Sequence, residues 1–190
     1  MATRASEKLS AAYAFKTFYD ALVEFEAAAK AATNMAALLA GDYSSAPPSA
    51  SELNLAKIDW DSLRNNVAYE GNSAPAAAQT NLWAKIKDEA DGGTAVCTDD
   101  EKYAAYYELK ALVAYLTKTK TDIAAQTDVA ALQAINLAST TPTAAQLSAA
   151  KTGWNAIRNG SIYVYGGCRI PAVNVDTRLW TEIDAEAAAA

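Results

Sequence analysis

The sequence contains no histidine, and this absence restricts the chemistry open to the protein. Histidine is the commonest general base and metal ligand, and it is the usual partner of a serine or cysteine nucleophile. A histidine-based catalytic triad and a ferritin-like di-metal centre, which needs Glu-x-x-His pairs, are therefore excluded. We expect no catalytic residues, no cofactor and no bound metal in this chain.

Cysteine is scarce as well, since Cys97 and Cys168 are the only two in the chain. Their wide separation in the sequence favours two buried free thiols. A disulfide is the alternative if the fold brings the two cysteines together. The sequence also lacks Cys-x-x-Cys, the phosphate-binding Gly-x-x-x-x-Gly-Lys-Ser/Thr loop and the Gly-x-Gly-x-x-Gly turn. The common metal and nucleotide motifs are thus absent.

Long apolar runs and an excess of basic charge are also missing. No run approaches the roughly 20 residues that cross a bilayer, and residues 1–8 lack the apolar region of a secretory signal. The net charge is -6, which disfavours nucleic acid and anionic membranes as partners. One locally basic segment remains as a route to phosphate contacts, through Arg158, Arg169 and Arg178, although ordinary surface charge is the favoured interpretation.

Alanine and amphipathic helical patterns dominate what is present. The clearest pattern is a coiled-coil-like stripe with alternating steps of four and three residues, which predicts one helix of about 50 Å from an N-cap at Ser6 to Gly41. Its first half carries aromatic side chains and leucine, and its second half is nearly all alanine. The stripe needs a covering helix, from the same chain or from a neighbouring subunit; it consists of Ala11, Phe15, Phe18, Leu22, Phe25, Ala29, Ala32, Ala36 and Leu39.

Capping signals place the next helices. Ser49 with Glu52 predicts a capping box, and Asp59 or Asp61 is a candidate cap for a short helix carrying Leu63 and Val67. Ser73 and Pro75 predict the start of a helix that ends before Gly92-Gly93. The run 98–101, Thr-Asp-Asp-Glu, predicts a capping box that opens a second long helix ending near residue 125.

The C-terminal third predicts three shorter helices and one β-hairpin. Thr127 or Asp128 is a candidate cap for the first helix, and Thr141-Pro142 has the N-cap and N1 pattern of the second. The run 161–170 places Gly-Gly between two β-branched or aromatic segments, which predicts a hairpin over 160–173. Asp176 or Asn174 is a candidate cap for a last helix, and 184–190 is predicted to be a flexible tail or a frayed helix end.

The predicted fold is therefore mainly α, a bundle of about five to six helices with two long ones and a single C-terminal hairpin, in one domain over 1–190. Acidic residues 99–101 suit helix capping better than a cation site. The group Tyr103, Tyr106 and Tyr107 has helical spacing, which favours packing in the core or at its rim over ligand stacking.

These features favour a non-catalytic structural subunit that associates with itself or with other structural subunits. Within that class we expect a virion component, such as a bacteriophage or virus coat, decoration or connector protein, located in the virion or the cytoplasm. The alternative is a helical binding module whose cleft is lined by Trp60, Trp83, Trp154 and Trp180. The candidate interface residues lie on the first stripe and the hairpin: Phe15, Phe18, Ala29, Ala32, Ala36, Tyr163, Tyr165 and Arg169.

Overall fold

The computed structural model describes residues 2–66, 68–69, 72–73, 75–160, 164–165, 168–169 and 176–190, and this part of the chain forms a mainly helical bundle. Its helices, in chain order, are α1 (Ala5–Ala31), α2 (Thr33–Ala40), α3 (Ala50–Asn66), α4 (Thr80–Ala90), α5 (Asp99–Ala125), α6 (Thr127–Ala134), α7 (Ala144–Arg158) and α8 (Thr177–Ala188).

Two antiparallel pairs of two-residue strands complete the described elements. The first pair is β1 (Ala68–Tyr69) with β2 (Asn72–Ser73), and the second is β3 (Val164–Tyr165) with β4 (Cys168–Arg169). Ordinary strands run about 3–10 residues, so the second pair is too short to support the predicted hairpin over 160–173. Most of that range lies outside the described residues.

The predicted 50 Å helix is wrong, because the chain leaves the helical conformation at Ala32, with φ -59° and ψ 130°. Asp59 of α3 stabilises this break, since its carboxylate accepts hydrogen bonds from the backbone N–H groups of Asn34 at 2.8 Å and Met35 at 3.1 Å. These two N–H groups lie in the first turn of α2, where the helix itself offers them no acceptor. The predicted short helix capped by Asp59 or Asp61 is wrong too, because α3 continues through both residues.

Some capping predictions are confirmed and others are displaced. The Ser49–Glu52 and Thr98–Glu101 boxes form as predicted, and Asp176 caps α8. The first helix begins after Arg4 rather than after Ser6, and α7 begins after Thr143 rather than after Thr141. The fourth helix begins at Thr80, later than Ser73 and Pro75 predict, and the N-cap position of α6 is Gln126, whose side chain makes no capping hydrogen bond.

The core lies where α3, α5, α7 and α8 pack against α1. Phe15 contacts Trp154 and Trp180 edge to face, with ring centroids 5.7 Å apart in both pairs. Further along the helix, Phe25 contacts Trp60 at 5.1 Å. Edge-to-face pairs are a favoured aromatic arrangement, so the first half of the stripe is closed by the chain's own helices.

The last helix is tied to the first, and residues 184–188 of the predicted flexible tail are helical. Glu186 accepts a hydrogen bond from the Thr3 backbone N–H at 2.6 Å, and it pairs with Lys8. These contacts lower the pKa of Glu186 to about 2, chiefly through the hydrogen bond from Lys8. The helix thus continues to Ala188 because its end is held against the start of α1.

Candidate functional site

An open groove with a volume of about 580 Å³ runs along the C-terminal half of α5, beside the end of α1 and α2. Carbon atoms form most of its lining surface, although only three of the nine lining residues are apolar and three are lysines. We call this surface the lysine groove; it is lined by Lys30, Leu39, Lys110, Val113, Ala114, Thr117, Lys118, Thr121 and Asp122. An apolar surface edged by cations suits a ligand that is both apolar and anionic.

A buried carboxylate joins the two sides of the lysine groove. Glu26 of α1 is 2% exposed, and it accepts hydrogen bonds from Lys30 at 2.5 Å, from Thr117 at 2.7 Å and from Lys120. Burial acts to raise the pKa of Glu26, but the hydrogen bonds from Lys120, Lys30 and Thr117 outweigh it and lower the pKa to about 2. The carboxylate therefore stays ionised at neutral pH and fixes α1 against α5.

The lysines of the lysine groove are held in place by their neighbours. Lys118 pairs with Asp122 at 2.5 Å, one turn along α5. Lys110 lies over the ring of Tyr106, with its Nζ atom 5.5 Å from the ring centroid. The lysines of the groove and the adjacent Lys120 are four positive groups, and Glu26 and Asp122 are two negative ones. These six groups together carry two net positive charges, on a chain of net charge -6.

A second surface of opposite charge lies at the other end of α5. Val96, in the loop between α4 and α5, is 77% exposed, the largest exposure among the large apolar side chains that the structure describes. Asp99 and Asp100 follow it in the first turn of α5, and both are exposed. We call Val96, Asp99 and Asp100 the acidic knob.

Hydrogen bonds fix both ends of the loop that carries Val96. After α4 the chain makes a Schellman turn, in which Gly92 has φ 78° and the Gly93 N–H donates to the Asp88 carbonyl at 2.8 Å. The Ala95 N–H donates to the Asp88 side chain at 2.8 Å. Glu89 accepts from the Cys97 N–H and pairs with Lys102 at 2.7 Å. These contacts fix the backbone around Val96 in the position that leaves its side chain exposed.

Cys97 lies directly behind the acidic knob as a buried free thiol, in agreement with the prediction for this cysteine. Burial raises the pKa of Cys97 to about 11, and the nearby Glu89 carboxylate adds to the effect. A thiol with a raised pKa is a weak nucleophile, so Cys97 acts in packing. The Cys168 side chain lies outside the described residues.

The predicted interface residues of the first stripe are buried or half-buried in the structure. Phe15 and Ala29 are fully buried and Phe18 is 2% exposed, while Ala32 and Ala36 are half-buried. The sequence left open whether a helix of the same chain or of a neighbouring subunit covers this stripe. In the structure, helices of the same chain pack on it. Tyr163 and the side chains of Tyr165 and Arg169 lie outside the described residues.

The remaining candidates take up packing and surface roles. Each of the tryptophans Trp60, Trp83, Trp154 and Trp180 is at most 6% exposed. Tyr103 and Tyr107 stack with centroids 6.3 Å apart, and Tyr103 donates to the Tyr43 carbonyl at 2.9 Å, as expected of rim packing. In the basic segment, Arg178 pairs with Glu182 at 2.7 Å, and Arg158 is half-buried.

The predictions from sequence missed the lysine groove because its two sides are far apart in the chain. Lys30 and Lys118 become neighbours only once α1 packs against α5. One local signal was present, since Glu26 lies four residues after Leu22 and three before Ala29, inside an apolar stripe. A carboxylate at such a position needs a cation from another element.

Comparison of the chain with protein-family models, curated proteins and solved structures finds no match. Among the described residues, no helix is both long and apolar enough to span a membrane. The same residues contain no group of three or more acidic or cysteine side chains placed to hold a metal ion. The lysine groove and the acidic knob are the surfaces from which a function can be argued.

Proposed function

We propose that this protein is a non-catalytic structural subunit that associates with copies of itself. The observation that carries the proposal is the lysine groove, an apolar surface edged by lysines on a protein of net charge -6. A single chain leaves this surface open to water. An acidic segment with an apolar side chain, contributed by a neighbouring subunit, would cover the groove and balance its charge.

The absence of histidine from the sequence supports a non-catalytic role, because proton transfer near neutral pH most often uses this side chain. The described carboxylates with strongly lowered pKa values, Glu26, Glu89 and Glu186, are each held by a lysine that joins two helices. Ion pairs of this kind stabilise the packing of helices and keep the carboxylate ionised, which suits neither a general acid nor a general base at neutral pH.

The narrower form of the proposal is a virion component, such as a bacteriophage or virus coat, decoration or connector protein. It is supported by the alanine-rich helical composition and by the lack of catalytic motifs in the sequence. Electron microscopy of the purified protein tests it, and rings, tubes or shells are the expected images. Images that contain only monomer-sized particles, at high protein concentration, would count against it.

The alternative function, a binding module with an aromatic-lined cleft, receives less support. The tryptophans that would line such a cleft are packed in the core, where Trp60 and Trp154 are 0% and 1% exposed. Opening a cleft at these side chains would require separating the helices that bury them.

Light scattering tests self-association directly. We expect the weight-average mass to rise above the monomer value of 20.0 kDa as the protein concentration increases from micromolar to millimolar. Added sodium chloride should lower the mass again, because salt screens the charges between subunits. A mass of one chain at every concentration, in low salt, would reject the proposal.

A further inference from the structure

The lysine groove and the acidic knob are complementary in both charge and polarity. The groove offers the half-buried Leu39 and the exposed Ala114 beside its lysines, with the buried Val113 beneath them. The knob offers the exposed Val96 beside Asp99 and Asp100. A valine in contact with the apolar lining would place the two aspartates near the lysines. Such a contact removes apolar area from water and pairs opposite charges at the edge of the contact.

The two surfaces lie at different positions along the same rigid helix. From Asp100 to Lys110 and Lys118, the rise of 1.5 Å per residue along an α-helix corresponds to about 15 Å and about 27 Å. The knob of one chain therefore cannot enter the groove of that same chain. A contact between them joins two copies, and it uses different surfaces on each copy.

We propose that the lysine groove binds the acidic knob of a second copy of this chain, so that copies associate head to tail. The inference rests on the proposed function and names the segment that the neighbouring subunit contributes. Contacts of this heterologous type build a ring when the rotation between copies closes, and a filament when it does not. Because hydrogen bonds and ion pairs already fix the knob, little conformational entropy is lost on binding.

Charge reversal on each surface separately tests the pairing. One variant carries Lys110→Glu and Lys118→Glu in the groove, and the other carries Asp99→Lys and Asp100→Lys in the knob. Each variant alone opposes like charges at the contact, so we expect its association constant to fall by about tenfold or more. In an equimolar mixture, the native knob of the first variant faces the native groove of the second, and the two reversed surfaces also match. Association should return in the mixture.

Two control variants separate this contact from general effects of charge and apolar surface. Lys16→Glu reverses an exposed lysine of α1 that pairs with Asp20 and does not line the groove. Leu55→Ser with Ile58→Ser removes the exposed apolar side chains of α3. Both controls should associate as the wild type does. Recovery in the mixture also shows that both reversed variants are folded.

Each other outcome has a distinct meaning. If the wild type associates and neither reversed variant weakens it, the pairing is overturned while the proposed function stands. If only the groove variant loses association, a different segment occupies the groove, and the assignment of the knob is overturned. Loss in both variants without recovery in the mixture also contradicts the pairing. A wild type that stays monomeric contradicts both the pairing and the proposed function.

Discussion

Glu26 of α1 and Lys120 of α5 form an ion pair beside the lysine groove, although 94 positions separate them in the sequence. The Glu26 side chain is 3% exposed, and the Lys120 side chain is 30% exposed. Together with Lys30 and Thr117, the pair connects the two helices whose faces line the groove. Loss of this ion pair should therefore change the shape of the lysine groove, the surface to which we assign self-association.

Glu26→Gln should lower the free energy of unfolding by about 2 kcal/mol, because Lys30, Lys120 and Thr117 lose a buried ionised acceptor while the two lysines keep part of their contact with water. Urea denaturation measures the change. The matched control is Glu24→Gln on the exposed face of the same helix, which should change stability by less than about 0.5 kcal/mol. Equal effects of the two substitutions would show that the Glu26 pair contributes no special stability.

Low pH should lower the free energy of unfolding by protonating the Glu26 carboxylate. The pKa of Glu26 is lowered from 4.5 to about 2 on folding, so its stabilisation is complete above pH 4.5 and is lost as the pH falls towards 2. We expect urea midpoints of the wild type to fall more steeply over this window than those of Glu26→Gln. Parallel pH profiles of the two proteins would contradict the assigned ionisation.

Asp59→Ala should destabilise the start of α2, since the N–H groups of Asn34 and Met35 lose their acceptor. Removing a capping carboxylate costs about 1–2 kcal/mol. Hydrogen exchange should show faster exchange of these two amides, with smaller changes elsewhere. Asp61→Ala, on the same helix and paired with Lys57 at 2.5 Å, is the control and should leave the two amides protected.

Two glycine substitutions should change stability in opposite directions. Gly92 has φ 78°, a left-handed conformation that costs a residue with a side chain about 1–2 kcal/mol, so Gly92→Ala should destabilise the protein. Gly153 lies inside α7, where an added Cβ would be 3.4 Å from its nearest neighbouring atom, an ordinary contact. Gly153→Ala should therefore stabilise the helix by up to about 1 kcal/mol. Thermal unfolding of both variants checks the two signs.

The helical character and several helix starts could be predicted from local sequence, because a capping box lies within four consecutive residues. Ser49 with Glu52, and Thr98 with Glu101, needed no knowledge of the fold. The break at Ala32 could not be predicted in this way, since its stabilising carboxylate, Asp59, lies on another helix. Local patterns cannot identify a cap that is supplied from elsewhere in the fold.

The start of α4 shows the same limitation. Glu108 of α5 accepts hydrogen bonds from the N–H groups of Ala78 and Gln79, and the helix begins directly after them, at Thr80. Glu108 also accepts a hydrogen bond from the indole of Trp83, in the first turn of that helix. The burial of Phe15, Phe18 and Ala29 has a related cause. An apolar stripe on a helix predicts that the stripe is covered, but whether the same chain covers it depends on where α3, α7 and α8 pack.

Cross-linking between copies tests the knob-in-groove contact most directly. On a Cys97→Ala, Cys168→Ser background that keeps the wild-type mass profile, Val96→Cys is mixed with Ala114→Cys, and a short bismaleimide joins cysteines that come close together. We predict a Val96→Cys/Ala114→Cys product that a mixture with Lys16→Cys does not give, and its yield should fall as salt is added. Equal yields with Ala114→Cys and Lys16→Cys would contradict the contact.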